Sequence, residues 1–180
     1  MALTVEDGSG VYGADTYAAL ATVDAYWTAR PHNALAATWA AADDDDSEGA
    51  AREATAYLDA TFGPYYRGVR AGDVQGLLFP RFEAMDDSGY PMQGVPLVLV
   101  HAVCELAPRA LSARLSVDLD TAMPVKRFMM KAGSYTEDTE YGGEMTLEKK
   151  YGYVAGLIAP ILDGTQPNAP RGGADLWAWR

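Results

Sequence analysis

Apolar positions repeat at three- and four-residue steps over several stretches of the chain, the spacing that lays side chains along one face of an α-helix. The first stretch carries Leu20, Val23, Tyr26 and Trp27. Asp15 or Thr16 offers a capping oxygen at its start, and Pro31 closes it. A longer stretch carries Ala50, Ala54, Tyr57, Leu58 and Phe62, with Ser47 as the expected cap and Gly63 as the stop. Between the two lie an alanine-rich turn or short helix and four adjacent aspartates, Asp43 to Asp46. The strongest helical pattern begins near Pro96, a residue suited to a first turn, and reads "PLVLVHAVCELAPRALSARL". Leu97, Val100, Cys104, Ala107 and Leu111 share one face, while Val98, Leu99, Val103 and Leu106 cover much of the rest. A helix apolar on nearly every side belongs inside a fold or between subunits. Pro108 has no N–H to give, which predicts a kink or restart there. A last helix over "YGYVAGLIAPILDG" places Tyr153, Val154, Leu157, Ile158 and Ile161 on its apolar face.

Elsewhere the helical period is broken. Residues 64–94 are punctuated by glycine and proline and read as an irregular connection, pinned to the helices by Tyr65, Tyr66, Phe79 and Phe82. Val125 to Ala132 and Ser134 to Tyr141 flank Gly133, the pattern of a β-hairpin around 125–141. Its charges are segregated: Lys126, Arg127 and Lys131 on the first arm, Glu137, Asp138 and Glu140 on the second. Such charges pair across one hairpin, or head to tail between neighbouring subunits. From Gly164 onward a proline- and glycine-rich stretch leads to "LWAWR". The expected fold class is mainly α: a small helical bundle with an inserted β-hairpin and an extended C-terminal tail. Residues 1–163 form the domain and residues 164–180 the tail.

Composition adds a charge asymmetry. The chain has 180 residues, 49% hydrophobic and 22% charged, ordinary for a folded domain. Its net charge is −11, and residues 1–60 hold eleven acids against Arg30 and Arg52. General affinity for nucleic-acid phosphate is therefore disfavoured, and part of the surface should be strongly negative. The single cysteine, Cys104, lies in an apolar run and reads as a buried inert thiol. With no basic, apolar leader and no long apolar segment, cytoplasm-like conditions and no membrane contact are expected.

Candidate chemistry is sparse. His32 and His101 sit in no nucleophile motif, and one cysteine with two separated histidines makes no zinc site. Glu137 and Glu140 could mimic glycosidase carboxylates, but on a charged hairpin ion pairing explains them. The Asp43 to Asp46 run lacks the glycine turn and spaced oxygens of a calcium loop, and suits solvation of a loop beside a helix N-terminus. No enzymatic activity, metal or cofactor is expected. Two basic and aromatic groupings are candidates for contact with nucleic acid or for subunit packing: Tyr65, Tyr66, Arg67 and Arg70, and Lys126, Arg127, Phe128 and Lys131.

The order "MALTVEDGSGVYGADTYAALATVDAYWTAR", "ATAYLDATFG", "LLFPR", "VPLVLVHAVCELA", "VKR" with a hairpin, and a short last helix resembles the adaptor proteins of bacteriophage head-tail connectors, over roughly residues 2–162. Members of that group also carry the label DnaT-like single-stranded DNA-binding protein. The resemblance implies a virion protein, assembled in the bacterial host cytoplasm as a homo-oligomeric, typically dodecameric, ring. Such a ring docks between the portal and the stopper or tail-completion protein and extends the channel for genomic DNA. It makes Asp43, Asp44, Asp45 and Asp46 candidates for an acidic channel lining along which DNA slides without sticking. The charged hairpin residues become candidates for the subunit interface. Leu176, Trp177 and Trp179 become candidate portal anchors, on a leash that reaches on the order of 20 Å as a flexible coil. The alternative reading is a single-stranded DNA-binding module. The aspartate run, the length of the hairpin region and the tail depart from the family core, so their three candidate roles rest on the residues themselves and are not carried over from it.

Overall fold

The computed structural model describes residues 3–86, 88–116, 128–132, 135–139 and 151–163. Residues 1–115 and the segment beginning at Tyr151 belong to one compact unit, and Ser116–Lys150 form a second. The first is helical: α1 (Leu20–Thr28), α2 (Ala34–Ala40), α3 (Asp44–Phe62), α4 (Leu97–Ser112) and α5 (Gly152–Ile158). The mainly α expectation holds.

Helix α4 is the hub. It touches α1, α2, α3 and α5 and buries Leu99 and every residue from Ala102 to Pro108. Leu99 and Leu106, with Leu58 of α3 and Ile158 of α5, are fully enclosed, each contributing about 1.5–3 kcal/mol through burial. Pro96 stands at the N-cap, one residue before the first turn, and the helix runs through Pro108 to Ser112. Pro108 cannot donate to the Cys104 carbonyl one turn back. The Trp27 indole Nε1 donates to that oxygen instead, at 2.8 Å. The helix therefore runs on through Pro108 without restarting.

Helix α1 starts at Leu20, later than the Asp15 or Thr16 expected from the sequence. Asp15 and Thr16 are held in a different structure: Val5 and Thr16 form a parallel bridge, and the Asp15 N–H donates to Thr4 O at 2.9 Å. The glycine-rich entry loop wraps its own anion. Buried Glu6 accepts from the backbone N–H groups of Gly8, Gly10 and Val11 at 2.8–2.9 Å. Gly8 has φ +95°, and a Cβ there would lie 2.8 Å from the Gly94 Cα, so a side chain is excluded twice over.

The connection after α3 is irregular, as its composition predicts, but closely fastened. A 3-10 turn, Gly63–Tyr65, leads to a ribbon of two short antiparallel strands, β1 (Val69–Arg70) and β2 (Arg81–Phe82). Tyr66 pairs with Leu162 beyond α5, and Tyr66 and Phe79 meet edge to face at 5.1 Å in the core. Tyr17 ties this loop to α3: its hydroxyl donates to both Asp59 carboxylate oxygens at 2.8 Å and accepts from the N–H groups of Leu78 and Phe79. Phe82 is not a pin. It is 62% exposed, because its register partner is Val69 on an outward-lying ribbon. Tyr153 of α5 is likewise exposed, while Val154, Ile158 and Ile161 face the core.

In the second unit, β3 (Phe128–Ala132) and β4 (Tyr135–Thr139) pair as an antiparallel hairpin. The tail, residues 164–180, lies outside the described residues.

Candidate functional site

The acidic run is a helix start. Asp43 is the N-cap of α3, its side chain accepting from the Asp46 N–H at 2.9 Å, and Asp44, Asp45 and Asp46 form the first turn. All four are exposed. Three carboxylates beside the positive end of the helix dipole are favourably placed. The expected cap, Ser47, is instead buried inside the helix, donating its own N–H to Asp43 O at 2.9 Å.

The arginines of the helical unit are largely committed to the protein itself. Arg30 lies over the Tyr26 ring, 3.6 Å from its centroid, and donates to Tyr26 O. Arg52 bonds Asp15 at 2.7 Å and Glu48 at 3.1 Å. Arg109 bonds the buried Glu105 carboxylate at 2.9 Å, and that carboxylate also accepts from the Tyr26 hydroxyl at 2.7 Å. In the loop, guanidinium groups brace main-chain carbonyls: Arg67 those of Leu162 and Met85, Arg70 that of Gln75, Arg81 those of Arg67 and Gly68. The sequence grouping of Tyr65, Tyr66, Arg67 and Arg70 is thus brought together as a loop fastener, with Tyr66 buried.

Burial also sets the titration of the inner groups. Asp59 is pushed above the usual carboxylate range by burial, offset by hydrogen bonds from Tyr17 and the Leu78 N–H. Tyr66 is pushed up by burial and then by the Asp59 charge. Burial, then Glu105, pushes the Cys104 thiol up to about 12, as befits an inert residue. His101 lies 5.3 Å from the Tyr26 ring, and His32 is exposed between α1 and α2. Among the described residues no group of three or more His, Cys, Asp or Glu could hold a metal. An open, mostly apolar groove of about 530 Å³ between α1 and α2 is lined by Trp27, Pro31, Ala36 and Trp39, with the Trp39 Nε1 donating to Asp24 at 2.7 Å.

Of the hairpin residues picked out in the sequence, Lys131 stands opposite Thr136, Glu137 opposite Met130 and Asp138 opposite Met129. No basic residue is directly opposite an acidic one within these strands. Lys126, Arg127 and Glu140 lie outside the described residues, as do Leu176, Trp177 and Trp179. The sequence reading missed Glu6, Tyr17 and Asp59. The glycines at 8 and 10 are the one local signal for Glu6, whereas Tyr17 and Asp59 are joined only by tertiary contact.

A family model described as "Putative DnaT-like ssDNA binding protein" matches residues 1–180. No curated protein and no solved structure matches. The description coincides with the second label of the group that the sequence resembles, and a head-tail connector is not named in it.

Proposed function

The chain belongs to the DnaT-like ssDNA binding protein family, and from that premise we propose that it is a structural adaptor of a head-tail connector, forming a ring that surrounds DNA without gripping it. The observation that carries this reading is the layout of charge. Residues 1–115 hold sixteen acids against seven arginines and no lysine, and six of those arginines are bonded to the protein's own carbonyl, carboxylate or aromatic groups. Asp43 to Asp46, by contrast, are exposed. A surface of that sign repels phosphate, which suits a channel wall and opposes tight binding. In this reading the ring sits at the head-tail interface of a virion, with the portal on one side and the stopper or tail on the other. The role is structural, with no catalytic step.

The test is the mass of the purified protein by light scattering, alone and mixed with its portal. A ring-sized mass, or co-elution with portal, supports the adaptor. A monomer indifferent to portal removes it.

A second reading, a single-stranded DNA-binding module, is the one the family description favours directly. Its stacking groups would be exposed Phe82 and Tyr90, near in sequence to Arg67, Arg70 and Arg81. Fluorescence anisotropy with a labelled single-stranded oligonucleotide, titrated across salt, decides it: steeply salt-dependent binding that Phe82→Ala weakens moves the assignment to this reading.

A further inference from the structure

Among the described residues β3 and β4 form a sheet of two, so each strand has one edge outside the ladder. A lone two-stranded ribbon is marginal in water, and open edges recruit other strands. In the described register Lys131 stands opposite Thr136 while Glu137 and Asp138 stand opposite methionines, so no rung between these strands joins opposite charges directly. Within residues 125–141 the bases, Lys126, Arg127 and Lys131, all precede Gly133 and the acids, Glu137, Asp138 and Glu140, all follow it. One edge of the ribbon thus complements the other edge of a second copy.

We propose that hairpins of adjacent copies join edge to edge, β4 of one beside β3 of the next, into a closed antiparallel barrel. This rests on the ring reading given above. Rotation about a ring axis keeps every β3 running one way and every β4 the other, so the two edges meet antiparallel without rearrangement. Closing a barrel requires a staggered register, and the smallest stagger that keeps the two-residue alternation of the strands is two. Within one hairpin Lys131 is paired with Thr136. Of the two directions for a two-residue shift between copies, the one that brings opposite charges together sets Lys131 opposite Asp138 of the next copy. Closure leaves no free edge, and the segregated charges fix the order of the copies.

Two full-length variants, Lys131→Cys and Asp138→Cys, test this when mixed in equal amounts, assembled with portal and oxidised. Cys104 is buried and stays out of the reaction. A disulfide needs Cα atoms within about 7 Å, so the mixture should give a cross-linked dimer on a non-reducing gel and neither variant alone should. Lys131→Asp and Asp138→Lys should each abolish the ring peak, and the double variant should restore it. A ring that forms with portal but gives no mixed dimer, or tolerates both charge reversals, overturns the barrel and leaves the adaptor standing. Absence of any ring from the unaltered protein removes both.

Discussion

The Cys104 carbonyl shows how one side chain lets a helix keep a proline. Pro108 removes the donor that a carbonyl in mid-helix requires, and the Trp27 indole supplies another at 2.8 Å. Trp27→Phe should lower stability by about 1–3 kcal/mol through the unsatisfied buried carbonyl, measured by urea unfolding. In a Pro108→Ala background the new residue's own N–H can take the bond, so the cost of Trp27→Phe should shrink. An equal cost in both backgrounds would show that packing alone is lost. Asp59 makes a pH prediction. Its carboxyl is raised in the fold, so between the ordinary value of 3.8 and the raised one the folded chain holds the proton more tightly than the unfolded chain. Its contribution to stability is therefore greatest below that window and is lost as pH rises through the folded value. Asp59→Asn should flatten this component, read as the difference in urea midpoint between the two proteins from pH 4 to 8. Neither pairing was legible from spacing: Trp27 and Cys104, or Tyr17 and Asp59, are far apart along the chain.

Elements were easier to find than their ends. The apolar periods located α1, α3, α4 and α5, because a buried stripe repeats whatever the cap. The ends depended on competition for hydrogen bonds. Asp15 and Thr16 are engaged by Thr4 and Glu6, so α1 begins later, and Asp43 rather than Ser47 takes the orphan N–H of α3. Asp43→Ala should cost about 1 kcal/mol in thermal unfolding, whereas the same change at a mere loop aspartate would cost nothing. Replacing Asp44, Asp45 and Asp46 together by Asn should lower the melting temperature at low salt, with the difference shrinking as salt screens the dipole interaction.

At the scale of the whole molecule the charge layout, rather than any single residue, carries the functional reading. If Leu176, Trp177 and Trp179 anchor the ring to the portal, deleting Ala174 to Arg180 should leave the unfolding midpoint unchanged and reduce co-elution with portal. Tryptophan anchors repeated in every copy gain from multivalency. Unchanged co-elution would refute the anchor.

The sequence by itself determined the helical class, the central place of α4, the hairpin and the acidic bias of the first sixty residues, because periodicity and net charge are properties of the chain order alone. Only the tertiary structure decided what the charged and polar groups do. It turned Arg67, Arg70 and Arg81 into braces for carbonyls, sent Phe82 outward with Val69, and closed the Gly8 loop around Glu6. A guanidinium or carboxylate is satisfied by whichever backbone group the fold brings within about 3 Å, and that proximity is fixed by packing between segments distant in sequence.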